Sequence, residues 1–174
     1  ARLAAAALAR LTTSGSVTEG AAGADLLVET VSENLAIKID VVRKAETVMA
    51  PTGLIATNTS ALSVTEIAAA CQDPTRVIGM HFFNPVTLMK LVEVVSGLHT
   101  DAAVADAIFE LGKAWGKTPV HAKSTPGFIV NRIARPFYAE TLALLQEQAA
   151  TPAVLDACVK AAGFRMGPCG LMDL

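Results

Sequence analysis

Apolar and polar positions along the chain switch between a short-run pattern and a helical period, and the switches mark the elements. Residues 24–30 (Ala-Asp-Leu-Leu-Val-Glu-Thr) read as a buried strand. In residues 34–49 apolar side chains recur near helical spacing at Leu35, Ile37, Val41, Val42, Ala45 and Val48, and Pro51 and Gly53 end that helix. Residues 53–56 give another short strand. Ser63-Val-Thr-Glu66 is a capping-box pattern that opens a helix running to Cys71. Two apolar strands follow, 77–83 and 90–95, broken at Asn84-Pro85, where proline removes a ladder donor and turns the residue before it away from helix. A helix over 101–115 and a strand over 118–122 come next. Upstream, residues 2–9 read as the last turns of an alanine-rich helix, 11–13 as a short strand, and 14–23 as a Ser/Gly/Ala loop with room for one helical turn.

Ser124-Thr-Pro-Gly127 is a cluster of breakers, and the character changes after it. Residues 128–149 carry one long helical pattern. Thr151-Pro152 opens a second helix through 162, residues 163–170 read as a loop, and 171–174 begin a further element. Strands alternating with helices predict a mostly parallel α/β sheet, and helices alone predict an all-α unit. The expected division is 1–123 and 124–174.

Composition narrows the function classes. The chain has 174 residues, 52% hydrophobic and 17% charged, and a net charge of −2. That length allows one domain, or one domain and part of another. Slight acidity argues against nucleic acid as a partner, which needs a basic face. The longest uncharged run, 47–65, contains Pro51, Gly53 and Asn58, so no membrane-spanning helix is expected, and residues 1–10 lack a signal-peptide pattern. Cys71, Cys158 and Cys169 are odd in number and widely spaced, which predicts free thiols in a reducing compartment such as the cytoplasm, with no metal site.

The candidate chemistry starts from two ionisable groups in apolar strands. His81 stands beside Met80 and Phe82, and Glu93 between Val92 and Val94. A carboxylate there costs several kcal/mol, roughly, unless it finds a partner, and the turn at Asn84-Pro85 makes His81 the nearest one. A His held by a carboxylate is a general acid/base with a fixed tautomer. A satisfied core histidine and an edge-strand carboxylate are the plainer reading. Thr57-Asn58-Thr59-Ser60 follows a strand, where α/β sheets bind ligands, and reads equally as a ligand cradle or a polar loop. Glu33 suits a helix N-terminus through the dipole alone, and Lys38 reads most simply as a solvated helix residue. Asn131, polar in an apolar run, is either a core amide or a group projecting into a cleft.

Taken together, four motifs resemble the L-3-hydroxyacyl-CoA dehydrogenase family. They are Asp25-Leu-Leu-Val-Glu-Thr-Val-Ser-Glu-Asn-Leu-Ala-Ile-Lys38, Ala56-Thr-Asn-Thr-Ser-Ala-Leu62, Gly79-Met-His-Phe-Phe-Asn-Pro-Val-Thr-Leu-Met-Lys-Leu-Val-Glu-Val94 and Thr125-Pro-Gly-Phe-Ile-Val-Asn-Arg132, in the family's order and nearly its spacing. Gly163-Phe-Arg-Met-Gly-Pro168 resembles the hinge before a helix of that family's second domain. The resemblance implies a Rossmann-like domain followed by the start of the helical domain, which commonly makes homodimers. It implies oxidation of a (3S)-3-hydroxyacyl-CoA to the 3-oxoacyl-CoA with NAD, within fatty-acid β-oxidation chemistry. His81 is then the general base and Glu93 its orienting partner. Ser60 and Asn131 bond the substrate's reacting oxygens. Asn84 lies near the nicotinamide, Glu33 and Lys38 contact the nicotinamide ribose region, and Asn58 belongs to the cofactor side.

The chain departs from the family in three ways. It has no GxGxxG loop and no acidic residue beyond one, so the first βαβ unit is expected to be absent and the chain to be an internal piece of a longer enzyme. Its sequence stops at Asp173-Leu174, where the family's helical domain continues. Cys169-Gly170 stands where many relatives have a bulkier residue and an acidic one. Two rivals remain: a β-hydroxyacid dehydrogenase acting on free acids, which uses a catalytic Lys in place of the His–Glu pair, and a non-catalytic relative that kept the fold.

Overall fold

The computed structural model describes residues 2–173. It divides into two compact units, Ala1–Pro126 and Gly127–Leu174.

The first unit is a sheet of β1 (Leu26–Glu29), β2 (Leu54–Thr57), β3 (Val77–Phe82), β4 (Leu91–Ser96) and β5 (Thr118–Lys123), laid side by side in that order. β1, β2 and β3 pair in parallel, β4 runs antiparallel to β3, and β5 is parallel to β4. The mostly parallel sheet is therefore present, with one antiparallel step where β3 and β4 are joined by residues 83–90. That connection is longer than the tight Asn84-Pro85 turn expected. The Asn84-Pro85 bond itself is cis.

The helices of this unit are α1 (Arg2–Leu8), α2 (Val17–Gly20), α3 (Leu35–Glu46), α4 (Val64–Ala69) and α5 (Ala102–Ala114). Each of the last four begins where a side-chain oxygen takes an orphan backbone N–H: Ser16, Asn34, Ser63 and Asp101 cap them in turn. The Ser63 cap expected from the capping-box pattern is formed, with the Glu66 N–H donating to Ser63 Oγ at 3.2 Å. A 3-10 turn at Pro74–Arg76 was not evident from periodicity.

Strand alternation sends successive side chains to opposite faces, so each face has its own core. Ile55 and Val77 pack with Val42, Ala45 and Ile67 of α3 and α4, while Ala56, Ile78, Met80, Val92 and Val94 pack with Ala105 and Ile108 of α5. Cys71 lies within the first cluster, where burial, with the Glu46 carboxylate adding to it, pushes its thiol up to about 11 and leaves it unreactive. Cys71, Cys158 and Cys169 are all unpaired.

Residues 11–13 form no strand. Leu11 is 71% exposed, and Leu11-Thr-Thr13, with one apolar residue and two β-branched ones, joins no ladder. Among the described residues no helix is long and apolar enough to cross a membrane.

The second unit contains α6 (Val130–Gln146), α7 (Pro152–Ala161) and α8 (Pro168–Met172). Thr151 caps α7 as its sequence suggests. The loop expected over 163–170 is shorter, because α8 already starts at Pro168. Its cap comes from another helix: the Asp156 carboxylate of α7 accepts from the Cys169 N–H at 2.8 Å and the Gly170 N–H at 3.0 Å. Such a cap has no local sequence signature. It also accounts for glycine at 170, where an added Cβ would stand 3.2 Å from Asp156 Oδ2. The element expected over 171–174 is the end of α8, and Leu174 lies outside the described residues.

Gly79 links the core to the site. It sits in β3 two residues before His81, on the same face, and a Cβ there would lie 2.8 Å from Val95 Cβ and 2.9 Å from Val64 Cγ2. Both neighbours are buried in packed elements and have little room to give way. Gly79→Ala is expected to destabilise the protein by about 1–3 kcal/mol, the usual cost of overpacking. Thermal melting measures this, and an unchanged midpoint would contradict the close approach.

Candidate active site

β1 and β2 end together at the Glu29–Thr57 pair, and β3 runs on past Gly79, the partner of Thr57, to Phe82, so that His81 stands just beyond their ends. This is where an open α/β sheet presents its loops to ligands.

His81 and Glu93 are direct partners across the antiparallel step, so their side chains leave the sheet on the same face. His81 Nδ1 stands 2.7 Å from Glu93 Oε2. The Glu93 side chain is fully buried and that of His81 is 5% exposed. An ionised carboxylate only accepts, so the pair places the proton on Nδ1 and the lone pair on Nε2. Phe83 packs beside the imidazole with ring centroids 4.6 Å apart. The antiparallel return of β4 thus delivers the pairing expected from the two strands, and the edge-strand reading of Glu93 does not hold.

The segment after β2 packs against the same strand end. Asn58 Oδ1 accepts from the Phe82 N–H at 2.8 Å, and the Asn58 N–H donates to the Glu29 carbonyl at 2.8 Å. The side chain expected on the cofactor side therefore ties β2 to β3 next to His81. Ser60 follows in an exposed turn. One oxygen of Glu33 holds that turn, accepting from the Thr59 hydroxyl, the Ser60 N–H at 2.9 Å and the Ala61 N–H at 3.1 Å. Burial pushes the Glu33 carboxyl up, but the Thr59 hydroxyl, the two N–H donors and the Lys38 ammonium outweigh it and hold the carboxyl below its ordinary value.

Lys38 is not the solvated helix residue that its position in an amphipathic pattern suggests. Its side chain is 1% exposed, and its ammonium donates to Glu29 Oε1 at 2.9 Å and to the Val31 carbonyl at 3.1 Å, with Glu33 Oε2 at 3.4 Å. Glu29 is equally buried, accepting also from the Val31 N–H at 2.7 Å and the Thr57 hydroxyl at 2.6 Å. Sequence reasoning passed over Glu29, although it closes an apolar strand in the way that had drawn attention to Glu93; Thr59 entered only as part of the polar segment 57–60.

Asn84 is exposed at the start of the connection after β3. Asn131 lies in the first turn of α6, in the second unit. The structure thus brings Glu33, Lys38, Asn58, Ser60, His81 and Glu93 to the strand ends of the first unit.

Residues 1–125 match the family model described as 3-hydroxyacyl-CoA dehydrogenase, NAD binding domain, and residues 127–174 match the one described as 3-hydroxyacyl-CoA dehydrogenase, C-terminal domain. The chain belongs to the 3-hydroxyacyl-CoA dehydrogenase family. Within that family it is 53% identical over 154 residues to the 3-hydroxyadipyl-CoA dehydrogenase of Escherichia coli, an alignment covering 88% of this chain and 32% of that protein. It is 44% identical over 151 residues to the 3-hydroxybutyryl-CoA dehydrogenase of Clostridioides difficile, covering 86% of this chain and 54% of that one. A crystal structure of the (S)-3-hydroxybutyryl-CoA dehydrogenase of Ralstonia eutropha superposes with a TM-score of 0.90 at 38% identity, over 94% of this chain and 58% of that one. The chain spans from a third to somewhat over half the length of these members of the 3-hydroxyacyl-CoA dehydrogenase family. Its sheet is the Rossmann-like NAD-binding domain of the family, followed by the helical C-terminal domain.

Proposed function

We propose that the full-length protein oxidises (3S)-3-hydroxyacyl-CoA to 3-oxoacyl-CoA with NAD. The observation that carries this reading is the buried His81–Glu93 pair, whose Nδ1 to Oε2 separation is 2.7 Å. His81 Nε2 takes the proton from the substrate's 3-hydroxyl as the hydride leaves C3. Glu93 then faces the imidazolium that forms and offsets its charge. In the reverse direction the same nitrogen returns the proton. Ser60 hydrogen-bonds a reacting oxygen, and Asn84 lines the nicotinamide side.

The residues present suit a dinucleotide. Glu33 has one oxygen committed to the turn, while its side chain stays 40% exposed, so an acceptor remains for the hydroxyl donors of a ribose. Lys38 backs that carboxylate, and Asn58 keeps the β2 end closed against β3. NAD, when bound, supplies the hydride acceptor. The free-acid alternative asks for a catalytic Lys, and Lys38 is buried against Glu29.

Acetoacetyl-CoA with NADH, followed by the loss of NADH absorbance, tests the reading. Turnover is expected, and a folded full-length protein inert to 3-oxoacyl-CoA substrates would overturn it. The exposed Ile133, Leu142 and Phe164 support a homodimer through the helical unit. Light scattering should then give twice the monomer mass, and a monomer would refute it. Three unpaired cysteines favour a reducing compartment such as the cytoplasm, with acyl-CoA as the partner.

A further inference from the structure

Glu29 is a buried charge in the candidate site with no surface of its own to offer a ligand. Its carboxylate is the meeting point of the Lys38 ammonium, the Val31 N–H and the Thr57 hydroxyl. Lys38 in turn lies 3.4 Å from Glu33 Oε2. The charges therefore run Glu29, Lys38, Glu33, from the buried end of β1 out to a partly exposed carboxylate.

We propose that Glu29 is a positioning residue for the dinucleotide ribose: it holds the Lys38 ammonium at the end of β1, so that Glu33 keeps one carboxylate oxygen turned outward. The proposal rests on the reading that the full-length protein is an NAD-dependent dehydrogenase.

The geometry shows why the two carboxylates are unequal. An ammonium has three protons. Lys38 directs its two hydrogen bonds at Glu29 Oε1 and the Val31 carbonyl, 2.9 and 3.1 Å away, and its contact with Glu33 is the longer one. Without the Glu29 charge, Glu33 is the remaining anion in contact with a buried cation. Attraction in that poorly screened place draws Oε2 inward and uses up its capacity to accept from a ligand. Glu33 Oε1 is already committed to Thr59, Ser60 and Ala61, so the loss falls on the outward oxygen and on the turn that carries Ser60.

Stability alone does not explain the arrangement. A buried ion pair is often no more stabilising than apolar residues of the same volume. A role confined to folding gives no reason for the series to end at a partly exposed carboxylate. Glu46 and Arg76, another largely buried pair, stand apart from it: Glu46 accepts from the Gln72 and Asp73 N–H groups and caps no site loop.

The test uses the full-length protein. Glu29→Gln keeps the volume and removes the charge: its one amide oxygen can still accept from the Val31 N–H, and its NH2 group faces the Thr57 hydroxyl, which can turn to accept. Fluorescence titration should show the NADH Kd raised about tenfold, the scale of one charge-assisted hydrogen bond. The KM for NAD should rise in parallel while kcat stays within about threefold, because the His81–Glu93 pair is untouched. Glu29→Asp restores the charge and should recover most of the affinity. A folded E29Q protein with wild-type Kd and KM would overturn the proposal, as would a fall confined to kcat. If E29Q does not fold, the E29Q/K38M double variant removes both buried charges together. It should bind NADH as K38M alone does and more weakly than wild type, and wild-type affinity in the double variant would overturn the proposal. A wild-type protein that binds no NADH at all defeats the dehydrogenase reading first and takes the role of Glu29 with it.

Discussion

His81→Gln in the full-length protein is expected to lower kcat by at least about a hundredfold, the lower end of what a positioned general base contributes. The imidazole is held on one side by Glu93 at 2.7 Å and flanked by Phe83, so its Nε2 has one orientation. A glutamine at 81 is close to the imidazole in length and still hydrogen-bonds, but an amide does not take up a proton near neutral pH. Substrate is then bound with no acceptor for the hydroxyl proton, and the loss appears in kcat. Cofactor affinity should change little, because Glu33, Lys38 and Asn58 reach their partners without the imidazole. Steady-state turnover together with an NADH titration separates the two quantities. Near-normal kcat would remove His81 from the base role. Equal losses in binding and turnover would mark it as a packing residue.

How far the sequence leads depends on whether a group's partner is local. The helix caps at Asn34, Ser63, Asp101 and Thr151 involve residues within three positions, and all are written in the chain. The mostly parallel sheet was legible for the same reason, since apolar runs and helical periods are local patterns. The His81–Glu93 contact spans twelve residues, yet it could be inferred, because two strands joined by one break have few ways to pair.

Lys38 shows where that logic stops. Helical periodicity puts it beside exposed Ile37 and half-buried Ile39, and nothing in α3 alone says that its amine reaches the end of β1. Its burial follows from the Glu29 carboxylate and the Val31 carbonyl, which only the packing of α3 against β1 brings near. Glu29 itself could have been found, since it is a carboxylate closing an apolar strand. The cap of α8 could not, because Asp156 sits on a different helix from the N–H groups that it accepts. The strand expected over 11–13 failed for the converse reason: the local signal was only one leucine and two β-branched threonines, and the segment pairs with no strand.

The pairing itself is probed most directly by Glu93→Gln. Glu93 is fully buried, opposite His81 in the sheet. Its carboxylate does two things for the imidazole. It accepts the Nδ1 proton, which leaves Nε2 as the base, and its charge offsets the imidazolium that exists only once the substrate proton has moved. Glutamine removes the second effect and weakens the first. Its amide oxygen still accepts from Nδ1, but its NH2 group serves equally well after a flip, and that orientation puts the proton on Nε2, where it blocks the base. A charge-assisted hydrogen bond is roughly twice as strong as a neutral one. The expected result is therefore a fall in kcat of about ten- to a hundredfold, smaller than for His81→Gln. Substrate KM should stay within about threefold, because the charge is needed in the transition state and not in the bound ground state. The fold should survive, since the variant relieves a buried carboxylate of its desolvation cost and keeps its shape. Kinetics and thermal melting on the same preparation decide between two roles. A lowered kcat with an intact melting transition supports a carboxylate that works through His81. An unchanged kcat would reduce Glu93 to a buried structural acid and leave the imidazole without its orienting partner.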